Sequence, residues 1–195
     1  MTFILATANP GKIKEMREIL SGPGYEIKTR KELGIDMDIP ETGSDFIENA
    51  RAKADAICAV SGLPAIADDS GLIVAALDGA PGLYSSTFGG GGLSDSARCM
   101  YLLEKMKNME QRAAKFVSSI VCVFPDGDVL AAEGECRGEI ARAPRGSCGF
   151  GYDPVFIVEG TNRTMAELSP EEKNAVSHRG KALKEFTALL AVQNM

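Results

Sequence analysis

Ala65-Ile66-Ala67-Asp68-Asp69-Ser70-Gly71-Leu72 is the stretch on which the fold reading turns. The apolar residues after Pro64 fit a short strand buried on both faces, and the run ends in two acids, a hydroxyl and a glycine. Buried strand ends of this kind are where sites are built. Successive side chains on a strand point to opposite faces, so Asp68 is expected on the side of Ile66 and Asp69 on the side of Ala67. The two carboxylates then cannot both face one ligand. The same octapeptide also fits two acids that cap a turn or the next helix.

The longest helical pattern precedes this strand, from about Ser44 or Asp45 to Ser61, with Asp45 and Glu48 spaced as a capping pair. Its buried stripe is Phe46, Ala50, Ala54 and Ile57, and Gly62-Leu63-Pro64 stops it. At about 100° per residue, Asn49 and Lys53 fall on the border of that stripe. Lys53 therefore either reaches into a site or lies along the surface with its stem buried. At the start of the chain, Phe3 to Ala6 reads as a strand, Thr7-Ala8-Asn9-Pro10-Gly11-Lys12 as a loop, and Ile13, Met16, Ile19 and Leu20 as one helix face. Such a loop offers backbone N–H groups, the positive end of a helix and the Lys12 charge to a phosphate. An Asn-Pro-Gly turn without any ligand has the same sequence. The G-x-x-x-x-G-K-[ST] frame is absent, which excludes an ordinary P-loop NTPase. Tyr25 to Arg30 reads as a second strand, and Leu33 to Pro40 as a loop that ends at Glu41-Thr42-Gly43.

Downstream, Ile73 to Leu77 is expected to stay extended before the turn Asp78-Gly79-Ala80-Pro81-Gly82. Phe88 and Gly89 to Gly92 form a flexible loop, and Ser94 to Met106 a helix with Ala97, Met100, Tyr101 and Met106 as candidate buried positions. Phe116 to Phe124 and Val129 to Ala132 flank the hairpin signal Pro125-Asp126-Gly127-Asp128, and Glu135 to Arg142 adds another strand. In Arg145-Gly146-Ser147-Cys148-Gly149-Phe150-Gly151-Tyr152-Asp153-Pro154, the glycines permit close backbone approach to a flat ligand and the two rings can stack on it. A surface loop fits the same composition. Ser169-Pro170-Glu171-Glu172 is a helix start that carries Lys173, and Ser177 opens a last helix packed through Leu183, Phe186 and Leu190. His178 and Arg179 then sit in a first turn, where each cation costs a few tenths of a kcal/mol against the helix dipole unless an anion or acceptor is supplied.

With 195 residues, 45% of them hydrophobic, the chain is long enough for one well-buried core and is expected to form a single domain over residues 1–195. No run of eighteen apolar residues and no signal peptide is present, so a soluble cytoplasmic protein is expected. Five cysteines without a C-x-x-C pair suggest neither a disulfide framework nor a zinc site, and a lone histidine rules out a His-rich metal centre. A net charge of -6 argues against nucleic-acid polymers as partners.

Taken in order, Thr7 to Lys12, Glu41-Thr42-Gly43, Phe46-Ile47-Glu48-Asn49-Ala50, Ala67 to Leu72, Phe150 to Pro154, Glu172-Lys173-Asn174 and Ser177-His178-Arg179 resemble the inosine/xanthosine triphosphate pyrophosphatases over nearly the full length. The resemblance implies an α/β fold, a twisted mixed β-sheet with flanking helices in two lobes around a central active-site cleft, usually as a homodimer. It implies Mg²⁺-dependent hydrolysis of ITP, dITP and XTP to the monophosphate and pyrophosphate. By matching motifs, Thr7, Ala8, Asn9, Pro10, Gly11 and Lys12 would hold the triphosphate, with Lys53 and Lys173 adding charge. Glu41 and Asp69 would bind Mg²⁺, a hard ion that wants carboxylate oxygens, and Asp69 would also orient or deprotonate the attacking water. Ser70 would touch substrate beside it. Phe150, Gly151, Tyr152 and Asp153, with His178 and Arg179, would hold the nucleoside, and Arg179 or backbone N–H groups would read a 6-keto oxygen. Where the family often has Tyr-Ser-Ala-Arg, this chain has Tyr84-Ser85-Ser86-Thr87. The alternatives are a nucleotide-binding module without turnover, against which the acids Glu41 and Asp69 speak, and a pyrophosphatase for pyrimidine or modified nucleotides. A Ser-His-Asp hydrolase, which would need His178, is the weakest reading.

Overall fold

The computed structural model describes residues 1–21 and 25–193. Among them are six strands, β1 (Thr2–Leu5), β2 (Glu26–Thr29), β3 (Ala65–Val74), β4 (Ala113–Val123), β5 (Val129–Ile140) and β6 (Phe156–Val158). Five helices accompany them, α1 (Pro10–Leu20), α2 (Phe46–Ser61), α3 (Asp95–Lys105), α4 (Pro170–Val176) and α5 (His178–Gln193). The sheet order is β2-β1-β3-β4-β5-β6. It is mixed, since β1 pairs in parallel with β2 and β3 while β5 and β6 run antiparallel. No helix of the described residues is long and apolar enough to cross a membrane. Two compact units divide the chain, Met1–Asp69 with Ser118–Gly134 and Arg179–Met195, and Ser70–Val117 with Glu135–His178.

In the first unit, strand alternation sorts the core into two layers. Phe3, Leu5 and Ile66 face Met16 and Leu20 of α1 and Ala182, Leu183, Phe186 and Leu190 of α5. Ile4, Ala6, Ala65 and Ala67 face Ala50, Ala54, Ile57 and Cys58 of α2. Each helix begins where its sequence supplies a cap. Asn9 accepts from the Gly11 and Lys12 N–H groups, with Pro10 at the first helical position. Asp45 accepts from the Glu48 N–H, while the Glu48 carboxylate reaches back to Ser44 rather than to Asp45. Gly62, at φ 66°, closes α2 in the left-handed conformation that glycine adopts without strain.

The second unit is built on Leu72 and Val74 of β3, Phe116, Cys136, Phe156, Val158 and one face of α3. That face is Cys99, Leu102, Leu103 and Met106; Met106 is buried as expected, whereas Ala97 and Met100 are exposed and Tyr101 is half-buried. Two stripes of helical spacing compete in Ser94–Met106, and the one holding the two leucines buries more apolar area. Ala75–Leu77 forms a 3₁₀ turn where extended chain was expected, because the Ala80 carbonyl takes the Val74 N–H and folds the backbone back. β5 is one continuous strand through Gly134 rather than two. The short β6 pairs with it closely at Gly138, where any Cβ would lie 2.1 Å from the Ile157 carbonyl.

Candidate functional site

In the first unit, Asp68 and Asp69 lie within β3, which runs on to Val74 instead of ending at the acids, and their side chains point to different partners, as alternation requires. Asp68 shares the Ile66 side with α1 and α5. Its buried carboxylate accepts from the Lys12 ammonium at 2.8 Å, from the Arg179 guanidinium at 3.1 Å and from the Ser118 hydroxyl. Burial alone would raise its pKa, but the Arg179 and Lys12 charges outweigh it and hold the carboxyl far below the usual carboxylate range. Asp69 shares the Ala67 side with α2, where Lys53 donates to Oδ1 at 2.8 Å and Asn49 to Oδ2 at 3.2 Å. Here burial dominates and the pKa of Asp69 is raised. The Lys53 ammonium also meets Glu41 Oε1 at 2.9 Å and the Asp68 carbonyl at 3.2 Å.

 Lys53 therefore bridges Glu41 and Asp69. Burial of that ammonium opposes its charge, but the Asp69 and Glu41 carboxylates win and its pKa is raised.

Asn49 holds this arrangement in place. Its Oδ1 accepts the Gly43 N–H at 2.8 Å while its amide serves Asp69, so the Glu41-Thr42-Gly43 loop and β3 are tied to one side chain. Lys12 lies across the other face of the same strand, within 3.4 Å of the Asp68 carbonyl. Of the expected phosphate loop, the Gly11 and Lys12 N–H groups are taken by the Asn9 cap and Thr7 accepts the Asn9 N–H, while Ala8, Asn9 and Pro10 are exposed.

Arg179 departs from its expected surroundings. It is 2% exposed, and its guanidinium faces Asp68 and, at 2.6 Å, Glu15 of α1 rather than a nucleoside. The anion that a cation in the first turn of α5 requires is supplied by the protein itself. Burial disfavours its charge, yet the two carboxylates raise its pKa. Glu15 and Asn49 were absent from the sequence candidates. Asn49 carried a signal in its border position on α2, whereas Glu15 and Arg179 stand 164 positions apart and no periodicity links them.

In the second unit, Lys173 is buried, forms a short ion pair with Asp153 and lies 4.8 Å from the centroid of the Phe150 ring. Asp153 also accepts the Phe150 N–H at 2.9 Å, and the Gly151 N–H goes to Asp95. Tyr152 is buried and donates its hydroxyl to the Ser85 carbonyl, with burial raising its pKa, so its ring is a core group instead of a stacking surface. Ser85 in turn accepts the Leu72 N–H, so the corner at Tyr84-Ser85-Ser86-Thr87 is tied to β3. Ser70 is half-buried where β3 enters this unit, and the His178 ring stacks on Phe116 at 4.6 Å.

Gly149 makes the Asp153–Lys173 contact possible. At φ +79°, a Cβ there would stand 2.0 Å from Asp153 Oδ2, whereas one on Gly151, at φ +60°, meets nothing within 4 Å. Both alanine variants carry backbone strain of roughly 1 kcal/mol, and Gly149→Ala adds overpacking of about 1–3 kcal/mol. Thermal unfolding is expected to drop several degrees further in Gly149→Ala than in Gly151→Ala. Equal losses would mean that Asp153 moves freely out of the way.

An α/β chain whose strand β3 carries two carboxylates, one paired with Lys12 and the other with Lys53, has the groups to handle an anion together with a hard cation. The Ham1 family profile matches residues 3–189, and the chain belongs to that family. It is similar to the dITP/XTP pyrophosphatase of Aquifex aeolicus, 49% identical over 97% of this chain and 96% of that one, and to the dITP/XTP pyrophosphatase of Bacillus subtilis, 45% identical over 96% of each. Among solved structures, it is similar to a HAM1 protein from Coxiella burnetii, at a TM-score of 0.89 and 42% identity over 98% of both chains.

Proposed function

We propose that this chain is a nucleoside triphosphate pyrophosphatase that hydrolyses dITP, XTP and ITP to the nucleoside monophosphate and pyrophosphate. The observation that carries this reading is the convergence of Lys12 and Lys53 on Asp68-Asp69 within β3, beside Glu41. The printed activity of the relatives, dITP/XTP pyrophosphatase, supports the same reaction.

Among the described residues no cluster of three or more His, Cys, Asp or Glu has the spacing of a metal site. The donor set nevertheless suits Mg²⁺, which keeps several waters and takes one or two carboxylates plus substrate phosphates. Glu41 and Asp69 already share one cation, the Lys53 ammonium, between them. They would hold Mg²⁺, and the ion, when bound, would neutralise the charge of the triphosphate. Asp69 would orient the attacking water and take its proton as the water attacks the α-phosphorus and pyrophosphate leaves. Lys12 and Lys53 neutralise phosphate oxygens. Lys173, Asp153 and Phe150 hold the nucleoside end, and backbone N–H groups read the 6-keto oxygen, since Arg179 serves Asp68 and Glu15. By the same resemblance the enzyme is a cytoplasmic homodimer that acts on free nucleotides rather than on nucleic acid.

The test is pyrophosphate release from ITP, dITP, XTP, ATP, GTP and dTTP with Mg²⁺. Adenine presents a donor where inosine presents an acceptor, so ITP is expected to exceed ATP by about 10² or more in kcat/KM. Equal turnover of the two would remove the purine selectivity, and IMP binding without turnover of any triphosphate would favour a binding module.

A further inference from the structure

The Lys53 ammonium lies within 2.9 Å of both Glu41 Oε1 and Asp69 Oδ1. A divalent ion bound to the same two oxygens would need the volume this nitrogen fills, because both cations seek the same lone pairs at shorter than van der Waals range. Asn49 fixes Asp69 and the Gly43 end of the Glu41 loop, whereas the Lys53 ammonium is carried on a flexible four-carbon stem. We infer that Lys53 is a placeholder for the divalent cation: without nucleotide it neutralises the Glu41–Asp69 pair, and metal enters as the ammonium moves onto a substrate phosphate. This rests on the metal role proposed above for Glu41 and Asp69. Metal and nucleotide then bind as one cooperative event, and the nucleotide-free enzyme holds metal weakly.

The probe is Mn²⁺ alone, titrated into nucleotide-free protein and followed by the electron paramagnetic resonance signal of the free ion. Lys53→Met is expected to bind Mn²⁺ at least tenfold more tightly than wild type, and Lys53→Gln, which keeps a polar side chain, to show the same gain if the apolar variant folds poorly. Lys53→Arg keeps the cation and is expected to match wild type. Adding Glu41→Gln to Lys53→Met is expected to abolish the gain, which locates it at this carboxylate pair. Unchanged or weaker Mn²⁺ binding in Lys53→Met and Lys53→Gln, or an equal gain in Lys53→Arg, would overturn the placeholder. A wild type that releases pyrophosphate while its Lys53 variants show no gain loses only this inference; a wild type that turns over no triphosphate loses the proposed activity, whatever the titration shows.

Discussion

Asp69→Asn is expected to lower kcat for dITP by roughly 10³, the range over which a general base is worth 10²–10⁴, with little loss of fold. Asparagine keeps the shape of the side chain but supplies no base and one acceptor fewer. Its amide nitrogen must face either Lys53 or the Asn49 amide, and Asn49 is prevented from turning over by the Gly43 N–H on its Oδ1. The mismatch costs about 1–3 kcal/mol of stability, below the roughly 4 kcal/mol that a 10³-fold loss of rate represents. Turnover measured beside thermal unfolding separates the two effects. Activity within tenfold of wild type in a folded Asp69→Asn would take Asp69 out of the reaction.

The second large effect is on stability and belongs to the neighbouring acid. Asp68→Asn removes the charge that Lys12 and the buried Arg179 share, leaving Arg179 with Glu15. Breaking a buried ion pair by removing one partner costs about 3–5 kcal/mol, which for a chain of this size is roughly 6–20 °C in Tm. The pH dependence has a definite sign. The folded pKa of Asp68 is depressed, so its stabilisation is complete above the unfolded value of about 3.9 and declines as pH falls below it toward the folded value. Unfolding curves of the two proteins should differ by a constant gap between pH 5 and 7 that narrows below about pH 4. No gap at pH 7, or a gap that widens in acid, would contradict the buried network.

The division between Asp68 and Asp69 was legible in the sequence because alternation along a strand has a period of two and both faces of β3 are covered. The starts of α2 and α4 were legible for a local reason, since Asp45 and Ser169 bond to N–H groups within three residues, whereas α1 begins at Pro10, inside the stretch expected to be a loop through Lys12, because Asn9 caps it. The three residues of β6 carry too little pattern to announce a strand, and their pairing is set by β5. The carboxylates around Arg179 were not legible because they come from α1 and β3, and contacts so distant in sequence leave no periodic trace. Tyr152 looked like a stacking ring among glycines, yet its hydroxyl finds Ser85 and the ring joins the core.

The most direct measurement is hydrolysis of dITP with Mg²⁺ in ¹⁸O-enriched water, read by phosphorus NMR. Attack at the α-phosphorus predicts equal amounts of dIMP and pyrophosphate, with the heavy oxygen in dIMP. Orthophosphate as the product, or label in the pyrophosphate, would contradict the account.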